Sequence, residues 1–323
     1  MKTPSYLHAI ALPTPFPVGD VNVYLAEGEP LTLVDTGPRY EPARQALHEG
    51  LAALGYAPAD LDVIVLTHPH SDHCGLAAEL AAASGARVLT HPLNVSQLAD
   101  YAAERTRRLA FYAALLAEAG VPHEVVASID SIRRGYGRFA EPVTPDGMLE
   151  EGMVLSLGGE KWRVLHTPGH TAGLICLYQP ERRLLLSSDH LLRDVSSNPF
   201  VEPPLEEGGA RPRPLLDYVT QLQRVVEMDV ALALPGHGPP IDRPRELVAE
   251  RMAFHQARAA ALLARLQQGP ATVYELTLAL FPHLDPINRF LAVSEVMGHL
   301  DLLEAQGQVM SRCEGSLRIW QAC

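Results

Sequence analysis

Thr67 to Gly75 reads THPHSDHCG and directly follows the apolar run VIVL. His68, His70, Asp72 and His73 fall within six residues of this stretch. Imidazoles and carboxylates are the ligands of borderline divalent metal ions. Alternation at a strand end sends His68 and His70 to one side. The turn that follows swings Asp72 and His73 toward a second point. Surface histidines in a polar loop are the plain alternative, and three other stretches argue against it. TPGHTAG places His170, LLLSSDH places Asp189 and LALPGHG places His237, each after an apolar run. Gly or Pro tightens the turn beside two of the three.

The elements that must position these residues follow from pattern. LHAIALPT, VNVYLAEG and LTLVDTG are short apolar runs bounded by Pro and Gly, which predicts strands. EPARQALHEGLAALG repeats Ala43, Leu47, Leu51 and Leu54 at helical spacing, with Gly55 to end it. VIVL is continuous, as in a strand buried on both faces. A helix (GLAAELAAASG) and another strand (RVLTHP) follow, and this alternation predicts α/β layers. Residues 94–146 break the rhythm with a long helical pattern and the Arg-rich SIRRGYGRF. Strands then return, and a Pro- and Gly-rich loop runs from Arg193 to Arg213. The helix after it shows an apolar face of Leu215, Val219, Leu222 and Val226. From residue 243 the chain reads as a long helix, then a helix opened by a Thr272–Glu275 capping box. A third helix carries Val293, Val296, Met297, Leu300 and Leu303. A hairpin turning at Glu314-Gly315 follows. Helices followed by a hairpin predict a small winged-helix domain.

Composition narrows the function. The 323 residues are 47% apolar with a net charge of −12, which disfavours a general nucleic-acid surface. Lysine occurs only at Lys2 and Lys161. Four scattered cysteines form no CxxC pair, so neither a disulfide framework nor a cysteine zinc site is expected. The N-terminal stretch is too short and irregular for a signal peptide. No run approaches 18 apolar residues, so no membrane span is expected, and the reading is of a soluble cytoplasmic protein.

VDTG, HPHSDH, TPGHTAG, SDH and PGHG, in this order and spacing, resemble the metallo-β-lactamase-fold hydrolase superfamily over roughly residues 10 to 240. The resemblance implies an α/β fold, a four-layered αββα sandwich with two metal ions at one edge. By that resemblance His68, His70 and His170 would hold one ion. Asp72, His73 and His237 would hold the other, and Asp189 would bridge them. Asp35 of VDTG would orient a ligand imidazole from behind. The ions implied are zinc first, with iron and manganese left open by the same ligand types. Ser188 departs from the family, where Gly is common before the bridging Asp; Ser is small enough to be tolerated. The complete ligand set weighs against single-iron relatives such as persulfide dioxygenases. His70 weighs against flavodiiron proteins, which carry glutamate there. The implied reaction is attack on a carbonyl or phosphorus centre by a metal-bridging hydroxide, with Asp72 and Asp189 as the catalytic residues and Asp72 orienting the nucleophile.

The division expected is a catalytic domain over 1–242, with a helical insertion at 94–146, and a helical linker with winged helix over 243–323. That arrangement resembles a subgroup of the superfamily that includes a single-strand endoribonuclease. Two substrate readings compete. One is a small thioester, ester or lactone, as for hydroxyacylglutathione hydrolases; the other is single-stranded RNA or another phosphodiester. A β-lactam is a lesser alternative. From Gly269 onward Arg289, Arg312 and Arg318 face six acids, among them Glu295, Asp301 and Glu304 of the third helix. Such a surface repels phosphates, so nucleic acid is not expected, and a buttress or homodimer contact is the expected role. Arg133, Arg134, Tyr136 and Arg138 are candidates to contact an anionic substrate, against the alternative of a solvated basic loop. His190 either faces the pocket or caps a strand. Cys74 reads as a small buried residue and His166 as a satisfied core histidine.

Overall fold

The computed structural model describes residues 3–127, 137–197, 199–206, 208–284 and 286–323. The first sheet comprises β1 (Leu7–Leu12), β2 (Val21–Ala26), β3 (Thr32–Val34), β4 (Val63–Leu66), β5 (Arg87–Thr90) and β6 (Gly147–Met148), hydrogen-bonded in that order. Its β1/β2 and β2/β3 pairs are antiparallel and the rest parallel. The second comprises β7 (Val154–Leu157), β8 (Glu160–His166), β9 (Ile175–Gln179), β10 (Leu184–Ser188) and β11 (Leu232–Pro235), ordered β11-β10-β9-β8-β7. Only its β10/β11 pair is parallel.

The two-residue period of a strand explains the layering. Val23, Leu25, Leu33, Ile64 and Leu66 point outward from the first sheet and join Leu47, Leu51 and Leu80 of α1 (Glu41–Ala53) and α3 (Ala77–Ser84). The short helices α2 (Ser71–Cys74) and α4 (Val95–Ala99) follow β4 and β5. Tyr24, Ala26, Val34 and Val65 point inward and meet Trp162, Val164 and Leu177 of the second sheet. Leu165, Cys176 and Leu185 on the far side meet α6 (Pro214–Glu227) and α7 (Pro244–Leu266). The order is helix, sheet, sheet, helix, as the resemblance implied. Among the described residues no helix is long and apolar enough to cross a membrane.

Helix α6 corrects one detail. Its buried face is Leu215, Tyr218, Leu222 and Val225, rotated from the expected one, and Val226 is exposed. Leu215, Leu222 and either neighbour set satisfy helical spacing equally; packing decides. Tyr218 stacks edge-on to the buried rings of His190 and His255, at 5.5 and 5.9 Å.

After α7 come α8 (Val273–Leu280), opened by the reciprocal Thr272–Glu275 capping box, and α9 (Pro286–Ala305). The hairpin β13 (Val309–Glu314) and β14 (Leu317–Ala322) gains a short strand, β12 (Ala271–Thr272), beside β14. This unit shares its core with the segment that follows β5. Tyr112 and Leu116 of α5 (Tyr101–Glu118) pack with Phe290, Val293, Val296 and Leu300 of α9. The acids of α9 do not present an open face, contrary to the sequence expectation. Glu295 pairs with Arg258 at 2.9 Å, Asp301 with Arg211 at 2.5 Å and Glu304 with Arg213 at 2.5 Å. Arginines from α7 and the 193–213 loop therefore clamp the helix to the sandwich.

His255 of α7 and His299 of α9 meet at this contact, Nδ1 to Nε2 at 3.1 Å, both almost fully buried. Burial pushes each imidazole down to about 4, with the neighbouring ring adding to the effect on His255. An ordinary imidazole titrates near 6.5. Between these values the unfolded chain binds protons that the folded chain excludes, so stability falls as pH drops from about 6.5 toward 4. The maximum slope is about 1.4 kcal/mol per pH unit for each ring. Urea midpoints measured from pH 7.5 to 5 should fall accordingly, and His255→Gln should flatten the profile. An identical slope in that variant would show that other groups control the acid limb.

Candidate metal centre

The site residues gather at one edge of the sandwich, Asp72 and His73 on the short helix α2 and the others after strands. His68 and His70 follow β4, and His170 lies in the turn between β8 and β9. Asp189 follows β10, and His237 follows β11. The two sheets are stitched there. The Ile175 amide donates to the Thr67 carbonyl at 3.0 Å, and the Asn22 amide donates to the Gly236 carbonyl at 2.7 Å. The Tyr24 hydroxyl also donates to the Pro235 carbonyl at 2.6 Å. Asn22 and Tyr24 thus hold the turn that carries His237, a role their positions in an ordinary strand did not announce.

The side chains converge as two overlapping groups. Ring nitrogens of His68, His70 and His170 lie together, as do donor atoms of Asp72, His73 and His237. His70 Nδ1 is 3.1 Å from His68 Nε2 and 2.9 Å from His170 Nε2. Asp189 touches both groups. Its oxygens lie 3.4 Å from His73 Nε2, 3.5 Å from His170 Nε2 and 3.7 Å from His237 Nε2. These distances are long for hydrogen bonds. His73 Nε2, His237 Nε2 and Asp189 Oδ1 are buried without a hydrogen-bond partner. Lone pairs turned on one another at about 3 Å repel unless something positive lies among them. The donor set, its burial and its orphaned atoms therefore fit cations.

The protonation states agree for three of the imidazoles; against burial, the neighbouring carboxylates hold His73 and His237 toward the charged form. Burial, then the neighbouring His170, pushes His70 down to about 3, and burial lowers His68 and His170 as well. Each of these rings presents a lone pair at neutral pH, the form that binds metal. Burial opposes a charge on Asp72, but His237 and His73 bring its carboxyl down to about 2. Burial also opposes a charge on His73, yet Asp189 and Asp35 hold its proton well above the usual range.

Supporting contacts fix the rings. Asp35 Oδ2 lies 2.8 Å from His73 Nδ1, the position foreseen for it, and accepts from the Thr67 hydroxyl at 2.8 Å. Its other oxygen accepts from the Thr67 amide at 2.8 Å. The Thr67 hydroxyl reaches His68 Nδ1 at 3.1 Å, and the Asp20 carbonyl holds His237 Nδ1 at 2.8 Å. Ser188 explains its own departure from the family. It sits at φ +45°, a left-handed conformation that suits Gly, but its hydroxyl lies 2.8 Å from that of Thr67. Gly236 shows the tightness of the centre: an added Cβ there would run into Asp189 and His73.

The remaining candidates fare differently. His190 is fully buried beneath Tyr218 and does not line the cavity, so the pocket-contact reading is corrected. Arg138 is exposed, its guanidinium 4.7 Å over the Phe139 ring, and it too lies away from the cavity wall. Arg133, Arg134 and Tyr136 lie outside the described residues. Cys74 is buried, and burial pushes its thiol up. The His166 ring lies 2.8 Å from the Ala172 carbonyl and stacks on His91 at 4.0 Å, satisfied as expected but only half-buried.

A cavity of about 280 Å³ opens against His70 and Asp72. Its walls come from α5, the 193–213 loop and α9. Tyr101, Arg105, Arg108 and Tyr112 supply the α5 side. Their spacing of four, three and four places them on one helical stripe, a signal the sequence carries and pattern reading passed over. Arg108 is not available to a substrate: Glu104 and Glu202 hold it at 2.9 and 3.1 Å.

A family model described as the metallo-beta-lactamase superfamily matches residues 16–237. The probable metallo-hydrolase YqjP of Bacillus subtilis (strain 168) is 37% identical over 308 residues, covering 95% of each chain. The human acyl-coenzyme A thioesterase MBLAC2 is 28% identical over 227 residues, 67% of this chain and 72% of its own. Among solved structures, a metallo-beta-lactamase family protein from Thermus thermophilus superposes with a TM-score of 0.82. It is 33% identical and covers 98% of this chain and 99% of its own.

Proposed function

From the premise that the chain belongs to the metallo-beta-lactamase superfamily, we propose that it is a dinuclear metal-dependent hydrolase of small acyl thioesters. The observation that carries this is the pair of donor clusters joined by Asp189 beside a largely apolar cavity. His68, His70 and His170 would hold one ion, Asp72, His73 and His237 the other, with Asp189 shared. Bound there, two divalent ions would supply a nucleophile from water at neutral pH and positive charge for a developing oxyanion. Nitrogen and oxygen donors favour zinc, and iron or manganese meet the same ligands. Asp72, on the cavity wall, orients the attacking group.

Thioesters stand ahead of phosphodiesters for three reasons. The cavity offers aromatic and aliphatic surface. The arginines nearest α9 are consumed by its acids. The human relative is named for thioester cleavage. We read the C-terminal helices and hairpin as a winged-helix unit used structurally rather than for nucleic acid. Esters and lactones undergo the same acyl chemistry and are the natural second tier.

A panel of thioesters, esters, lactones, phosphodiesters and single-stranded RNA tests the reading. Thioester turnover should be abolished by chelation and restored by zinc. Metal analysis should approach about two equivalents per chain. Cleavage of RNA with inert thioesters would replace this reading with the nuclease one, and about one equivalent, unmoved by added zinc, would refute the dinuclear centre.

A further inference from the structure

The cavity beside the metal centre is not closed by the sandwich alone. Phe200 lies 6.0 Å, ring to ring, from both His70 and His170. It stacks on Phe290 of α9 at 6.4 Å, nearly parallel, and Phe290 meets Tyr112 of α5 edge-on at 4.9 Å. Leu291, the next residue of α9, lines the same cavity as the centre's own His70 and Asp72. An aromatic wall thus runs from the ligand imidazoles to a helix that follows the hydrolase domain in sequence.

That wall is held firmly. The Ser294 hydroxyl of α9 accepts from the buried Val201 amide at 2.8 Å, which pins the Phe200 loop to the helix. The three arginine–carboxylate pairs described above anchor the same helix further along. The cavity's charged wall groups Arg108 and Glu202 satisfy each other, leaving apolar surface for an occupant. Arg105, exposed and on the cavity wall, pairs with no carboxylate among the described residues.

We propose that Leu291 of the C-terminal unit sets the length of the acyl group that the cavity accepts, making that unit a specificity element of the active site. This rests on the thioester reading above. At about 280 Å³ the cavity lies just under the roughly 300–1,000 Å³ of small-molecule pockets, a size that suits a short to medium acyl group. Replacing Leu291 with alanine removes three side-chain carbons and lengthens the cavity. Leu291→Trp fills it.

The test uses the metal-loaded full chain and S-acyl-N-acetylcysteamine thioesters with acyl chains from acetyl to tetradecanoyl. In parallel, binding of the matching non-hydrolysable S-alkyl thioethers is followed by calorimetry. Leu291→Ala should move both optima about two to three carbons longer, and Leu291→Trp should move them shorter. A methylene in an apolar pocket is worth about tenfold or more, so the shifted substrates should change by that factor per carbon. Metal content should be unchanged in both variants. Turnover and binding profiles that coincide with those of the unaltered protein would overturn the proposal. Thioether binding that shifts with no thioester hydrolysed would uphold Leu291's role in the cavity and refute only the thioester reading.

Discussion

Replacing Asp189 with alanine is expected to lower turnover by more than about 10³-fold while the fold survives. Losing an outer hydrogen-bond partner of a metal ligand typically costs 10- to 100-fold in affinity or activity. Asp189 stands closer in, with its oxygens between 3.4 and 3.7 Å from His73, His170 and His237. Its removal takes away the one anion that touches both donor clusters. The folded frame should persist because stitches such as Ile175 to Thr67 and Asn22 to Gly236 do not pass through this side chain. Gly236→Ala should act in the same direction from the opposite side. It keeps the carboxylate but forces it and His73 apart. Asp35→Asn gives the scale, since it weakens the hold on His73 and Thr67 but leaves both donor clusters complete, and should fall within the 10- to 100-fold range. Steady-state kinetics with metal analysis decide the matter. Near-normal turnover in Asp189→Ala with both ions bound would remove Asp189 from the centre.

The donors were legible in the sequence because their chemistry is local. His68, His70, Asp72 and His73 fall within six residues, and His170, Asp189 and His237 each follow a strand. The layers were legible because β2, β3 and β4 alternate cleanly between two cores. What the sequence hid is assembled from distance. Arg211 and Arg213 meet Asp301 and Glu304 across some ninety residues, so acids that read as an open face form a clamp. Phe200 and Leu291 carry no motif, and only the shared core of α5 and α9 brings them to the cavity. Ser188 read as a tolerated substitute for Gly. Its hydroxyl contact with Thr67 is invisible without the turn that brings the two together. Helix α6 shows the limit of periodicity, which fixes a stripe to within one residue and leaves Tyr218 or Val219 to packing.

Arg108→Ala should destabilise the protein by about 3 kcal/mol, the low end for breaking a buried ion pair from one side. Arg108 reaches Glu104 at 2.9 Å and Glu202 at 3.1 Å, and both carboxylates are more than nine-tenths buried. Without the guanidinium, Glu202 loses its partner in the wall and Glu104 keeps only Arg107, at 2.7 Å. Burial alone already pushes Glu104 up, and it stays ionised through Arg107 and Arg108. The defect should spread toward the centre. Glu202 also accepts from the Ala172 amide at 3.2 Å, two residues beyond His170. Urea denaturation of the metal-free protein measures the stability term without contribution from bound ions. A loss under about 1 kcal/mol would show that the carboxylates hydrate freely and that the wall is soft. The physical cause is separable from lost packing by adding Glu104→Gln and Glu202→Gln to Arg108→Met. Neutral amides need no counter-charge, so most of the stability should return. If it does not, Arg108 acts through its stem, and α5 is held in place by apolar contact instead of by charge.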